Sequence, residues 1–282
     1  MTSGALPGLA AFHWIALLLI ALVALLLADA LIGHYRTGFR VRAQYAPFVI
    51  GATLIAAASA ALIAPGNSTV RVALSGAGWL AAAGGVAGTV FHHWYGVRRQ
   101  PGGYSWLLHH LMYKAPPLAP LTLAALGILA LITANGLTAG HAGDTGGLAT
   151  GRSLSGRAVL LVVGLALIGT VAQSLLLHYR GAFHDRVMYA PAVAPVAAAA
   201  FAVWQAVSPA NWIAPLLIGA LWLSIVTGFI GLGMHLRGLD RHHGGLYVGW
   251  ATLLEGPPPF APAQIAGFAA VGLIAQHLLP IA

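Results

Sequence analysis

The chain has no cysteine and only five acidic residues among 282. The first absence excludes disulfides, thiolate metal sites and cysteine-ligated iron–sulfur clusters, so any electron-carrying group must be held by histidine or noncovalently. The second leaves no paired carboxylates for hydrolysis, and no Ser-His-Asp arrangement stands in for them. The Gly-Gly pairs at 102–103 and 244–245 lack the lysine and the strand-turn-helix context of a phosphate loop. An isolated enzyme therefore ranks below the other function classes. Charged residues of both signs make up 6% of the chain, hydrophobic residues make up 59%, and the mean hydropathy is +0.86. That balance describes an all-α integral membrane protein.

A span needs about 20 mostly apolar residues to cross a hydrocarbon core of about 30 Å, and a lipid-facing backbone must satisfy itself as helix. Eight segments meet that length: 10–33, 46–65, 72–91, 118–138, 158–177, 190–208, 213–234 and 260–281. The sixth is the least regular, with Pro191, Pro195 and Gln205 inside it. The first run is expected to be a retained span and not a secretion signal. No Lys or Arg precedes it, and the motif at its far end recurs after the fifth span.

Ten of the thirteen basic residues fall after odd-numbered spans: Arg36, Arg40, Arg42, Arg98, Arg99, Lys114, Arg180, Arg186, Arg237 and Arg241. Only Arg71, Arg152 and Arg157 fall on the other side. By the positive-inside rule the rich side is cytoplasmic and both termini are non-cytoplasmic, as in a bacterial-type inner membrane. The net charge of +8 then reflects topology and anionic lipid, with no call for a nucleic-acid partner.

HYRTGFRVRAQYAP, His34 to Pro47, matches HYRGAFHDRVMYAP, His178 to Pro191, at eight of fourteen positions and an offset of 144. The stretches His93 to Pro120 and His235 to Pro262 align without a gap at ten positions and an offset of 142, so a two-residue length change lies between the motifs. The expectation is two four-helix repeats, 1–139 and 158–282, joined by a Gly/Ser/Thr-rich linker at 140–157. An even number of spans per unit makes the repeats parallel, related by a twofold axis along the membrane normal.

Of thirteen histidines, only His34 with His178 and His93 with His235 recur at aligned positions. Imidazoles at matched depth on neighbouring helices suit axial ligation of b-type haem iron, pairing His34 with His93 and His178 with His235. Arg36, Arg42, Arg99, Arg180, Arg186 and Arg241 would then meet propionates, another anion or lipid headgroups. The competing account is an interfacial belt of His, Tyr and Arg. Asp29, with Gln173 as its counterpart, lies about one turn before the motif histidine, where it would orient that ring or carry a proton. Each set, His34, Arg36, Phe39, Arg42 and Tyr45 with its counterparts, reads as a short interfacial segment turned back into the membrane by Ala-Pro. The loop after the third span carries Trp106, His109, His110 and Tyr113 at helical spacing, closed by Pro116 and Pro117. Gly76, Gly84, Gly85 and Gly88 form a small surface for close helix packing.

Two function classes remain. The first is a polytopic membrane subunit of a multi-subunit complex, redox or other, whose basic His/Tyr/Arg cytoplasmic face contacts lipid and binds b-type haem, quinone or a partner subunit. The alternative is a small-molecule permease with its pathway between the two halves. The polar residues cluster at one interface and not at mid-depth, which favours the first.

Overall fold

The computed structural model describes residues 6–141, 148–241, 245–279 and 281. Every regular element among them is helical: α1 (Leu6–Arg36), α2 (Ala46–Ile63), α3 (Ser68–His93), α4 (Leu107–Tyr113), α5 (Ala119–His141), α6 (Leu148–Arg180), α7 (Ala194–Val207), α8 (Ile213–Arg241), α9 (Trp250–Glu255) and α10 (Ala261–Leu278). Eight helical stretches, involving all but the short α4 and α9, are long and apolar enough to span a membrane. Their starts follow local chemistry. Pro47, Pro195 and Pro262 occupy first-turn positions where no backbone donor is lost. Asn67 caps α3 by accepting from the Thr69 and Val70 amides.

Helices α1, α2, α3 and α5 pack in a ring, each against the next, with α5 closing on α1. Helices α6, α7, α8 and α10 pack in the same cyclic order, with α10 closing on α6. The rings meet along α1 with α10 and α5 with α6. The core lies at that fourfold seam, where Phe12, Leu22, Leu126, Leu160 and Phe268 are fully buried. Large apolar side chains such as Trp79, Val72, Leu223 and Phe229 face outward, as lipid-facing positions must.

Close helix approach depends on missing side chains. A Cβ on Gly85 would overlap the Ala124 and Pro120 backbone, and one on Gly127 would overlap the Ala82 and Gly78 backbone, so α3 and α5 touch main chain to main chain. Gly84 instead receives the Ile50 side chain, and Gly88 faces Pro120. Gly76 meets nothing within 4 Å, so it stands outside the packing surface expected for it.

The expected linker is shorter than 140–157. Helix α5 runs to His141 and α6 begins at Leu148, leaving 142–147 outside the described residues. Arg157 belongs to α6 and donates to the carbonyls of Ala206 at 2.7 Å and Val207 at 2.9 Å, at the end of α7. Those carbonyls have no helical partner, and a guanidinium supplies one.

Candidate functional site

Each copy of the HYR motif closes a helix by the same backbone device. The Phe39 amide donates back to the His34 carbonyl at 3.3 Å, and the Phe183 amide to the His178 carbonyl at 3.1 Å. These are wide helix-ending bonds of the Schellman type, which require left-handed residues. Gly38 and Phe39 take φ of 71° and 48°, while Ala182 and Phe183 take 56° and 45°. Ala182 and Phe183 hold that conformation without glycine, so tertiary contacts must fix it. Phe39 stacks on Tyr45 with ring centroids 4.8 Å apart, and Phe183 stacks on Tyr189 at 4.4 Å. A 3₁₀ turn, Arg42–Tyr45 or Arg186–Ala192, then leads through Ala-Pro into the next helix or just ahead of it. Much of the repeated spacing therefore builds a connection.

The histidines at the tops of the rings meet across them. His178 on α6 and His235 on α8 have ring centroids 6.4 Å apart, planes 70° to one another. In the first ring His34 on α1 faces His92 on α3, at 6.1 Å and 88°. This corrects the expectation that His34 faces His93, whose Nε2 lies 2.6 Å from the Tyr104 hydroxyl. The cause is a π-helical turn, Trp94–Arg98, at the end of α3, closed by the Arg99 amide on the Trp94 carbonyl. A π turn accommodates one additional residue without disturbing the helix on either side. Below it the equivalent positions stand 143 apart. Gly85 meets Pro120 and Ala124 as Gly228 meets Pro262 and Ala266, while His92 and His235 hold the carbonyls of Pro116 and Pro258. Beyond it the spacing returns to 142, so one of the two extra residues sits in this turn.

Hydrogen bonds assign the tautomers. The Nδ1 of His178 lies 2.8 Å from the Met188 carbonyl, that of His235 2.7 Å from Pro258, and that of His92 2.8 Å from Pro116. A carbonyl only accepts, so Nδ1 carries the proton in each ring and Nε2 keeps its lone pair. His34 differs. Gln44 accepts from the Val41 amide through Oε1, which turns its Nε2 toward Thr37 at 2.6 Å and His34 Nδ1 at 3.3 Å. Nδ1 of His34 is thus an acceptor. Phe39 and Phe48 flank this ring at 6.0 and 6.2 Å between centroids.

The charged residues divide by task. Arg36 reaches across the seam and donates to the carbonyls of Leu253 and Gly256 at the end of α9, and Tyr35 packs edge-on against Trp250 at 5.2 Å. Arg180 lies over the Tyr113 ring of α4 at 5.0 Å. Each HYR arginine thus holds the short helix of the opposite ring. Asp29 accepts from the Phe260 amide at 3.1 Å, also across the seam, and the orienting role expected of it toward His34 falls to Gln44. Its counterpart Gln173 is half-buried, with both amide atoms shielded from solvent and unpartnered among the described residues. Arg42 and Arg186 are exposed at the starts of the 3₁₀ turns, Arg241 is exposed at the end of α8, and Arg99 lies 5.9 Å over the Tyr95 ring.

The crossed contacts give a crossed prediction. Arg36→Ala is expected to speed amide hydrogen exchange in α9 by roughly five- to tenfold, and Arg180→Ala in α4, because each removes a partly exposed cationic contact. Exchange mass spectrometry reads both; loosening on the mutated helix's own side would overturn the pairing.

The sequence pattern does not single out His92 or Gln44, the first because an ungapped alignment counts past a bulge. Gln44 had a signal: it stands three residues after Val41, the spacing of a capping glutamine. The sequence matches no protein-family model and no curated protein, and the fold matches no solved structure.

Proposed function

We propose that this chain is a membrane subunit of a redox complex, in which each ring holds a b-type haem between the histidines that meet across it. The observation that carries the reading is the second pair. His178 and His235 come from helices on opposite sides of one ring, each ties Nδ1–H to a backbone carbonyl, and each leaves Nε2 as a lone pair. A ligating histidine is oriented in this manner by a second-shell acceptor. His178 with His235, and His34 with His92, would hold the iron from rings whose centroids lie 6.4 and 6.1 Å apart. Haem supplies one-electron transfer; the protein supplies the ligands and an apolar wall from Phe39, Phe48 and Phe183.

The same reading takes the two rings as a duplicated four-helix unit, parallel in the membrane, with termini on the non-cytoplasmic side and the basic face cytoplasmic. Its setting is a bacterial-type inner membrane. Arg42, Arg186 and Arg241, exposed on the motif-bearing side, face lipid phosphate or a partner subunit. The first pair differs in one respect: His34 must give up its contact with Gln44 to present Nε2, so it is the weaker ligand. The permease alternative has Gln264 in its favour, a buried amide at the α1/α10 seam that donates to the Leu22 carbonyl and leaves Oε1 unpartnered. Gln173 and Gln276 also bury unpartnered amide atoms, and these three amides are a poor pathway beside two imidazole pairs that meet across the rings.

The test is an optical spectrum of the purified protein, oxidised and dithionite-reduced. An α band near 560 nm, about where b-type haem absorbs, is expected. Protein purified from haem-sufficient cells without a Soret band would transfer the argument to the permease.

A further inference from the structure

Beside the first ring, on the motif-bearing side, Pro101, Gly102, Trp106, His109, His110 and Lys114 line a hollow of about 390 Å³. His109 stacks on Tyr113 at 4.8 Å and meets the Trp106 ring edge-on at 5.7 Å, forming an aromatic wall. His110 is 3% exposed. Its Nε2 lies 3.1 Å from the Pro101 carbonyl, so Nε2 carries the proton and Nδ1 is an acceptor. That Nδ1 is buried with no partner among the described residues.

The second ring shows what the structural task alone requires. The position aligned with His110 is Thr252, 1% exposed, whose hydroxyl donates to the Gly245 carbonyl at 2.9 Å and ties α9 to its own Gly-Gly turn. Threonine completes that bond and leaves no unused nitrogen. The positions aligned with Trp106, His109 and Lys114 are Val248, Ala251 and Gly256. None of these aligned positions carries an imidazole, an aromatic ring or a cation, and α3 of the first ring also carries the π turn packed against α4; such turns concentrate at functional sites.

We propose that this hollow binds the head group of a hydroquinone, which lies against His109 and Trp106, donates one hydroxyl to His110 Nδ1 and turns its other oxygen toward Lys114. An unpartnered acceptor needs a donor. The phosphodiester of a lipid offers only acceptors and would have to rely on a hydroxyl or ammonium further along its headgroup, whereas a hydroquinone brings O–H groups at both ends of a flat ring that also suits the aromatic wall. The choice of this ligand rests on the redox reading above; the hollow and its spare acceptor do not.

The test titrates full-length protein in detergent with 2-heptyl-4-hydroxyquinoline N-oxide, a fluorescent bicyclic with an O–H donor, following its quenching. His110→Thr installs the second ring's solution and is expected to weaken binding about tenfold or more, and Trp106→Val, at a site 60% exposed and outside the core, to weaken it as well. Thr252→Ser should leave it unchanged. Binding within twofold of wild type in both first-ring variants overturns the site. So does displacement of the probe by phosphatidylglycerol vesicles with none by a short-chain hydroquinone. Haem-free protein that binds the probe with the expected variant pattern upholds the hollow and sinks only the haem reading; pigmented protein that does not bind it sinks the hollow alone.

Discussion

With haem held as proposed, a His92→Ala variant is expected to retain about half of the haem of the wild type, and His93→Ala all of it. His235→Ala should also halve the pigment, and the His92→Ala/His235→Ala double variant should carry none. His92 lies on the side of α3 that faces His34 and His93 lies on the Tyr104 hydroxyl, while the π turn that follows shifts the register beyond it, so that the ungapped alignment pairs His93 with His235. Haem per protein, from the pyridine haemochrome, reads the outcome. Loss in His93→Ala with retention in His92→Ala would restore the pairing drawn from the ungapped alignment. Because His34 is engaged by Gln44 and His178 is not engaged in that manner, haem remaining after His235→Ala should also dissociate more readily than haem remaining after His92→Ala.

Gly127→Ala and Gly85→Ala are expected to destabilise the fold by about 2–3 kcal/mol each, at the upper end for overpacking. At both positions the added methyl meets main-chain atoms of the facing helix, which cannot turn aside as a flexible side chain can. Gly33→Ala and Gly76→Ala, where nothing lies within 4 Å, should be neutral or stabilise slightly, since alanine is the better helix former. Unfolding in increasing SDS fraction, followed by tryptophan fluorescence, compares the four. Equal effects would show that α3 and α5 have room to separate.

Eight spans were legible because the signal is a length of apolar sequence, and their positions agree with the helices to within a few residues at most ends. The short helix α4 was legible too, from Trp106, His109 and Tyr113 at one spacing and a proline stop. What the sequence could not carry were pairings decided in space. Nothing in the string around Trp94 marks the point where one residue bulges, yet that residue decides which of two adjacent histidines corresponds to His235. In the string Arg36 and Asp29 have only their neighbours along α1, while their partners lie on α9 and at the start of α10. Composition places the basic residue Arg157 in a linker, although it is the hydrogen-bond donor for the end of α7.

The crossing of Arg36 and Asp29 to the far ring also sets an order of assembly. Arg36 finds its carbonyl acceptor 217 residues later, and Asp29 its amide donor 231 residues later. During synthesis α1 is in place long before either arrives, with a carboxylate on a membrane helix whose partner has not been made. Contacts of such long separation close last, since the loop they span must be ordered first. The earliest helix to be made is therefore among the last to be completed, and a chain ending before Leu253 would leave its polar end exposed to whatever surveys unassembled membrane helices.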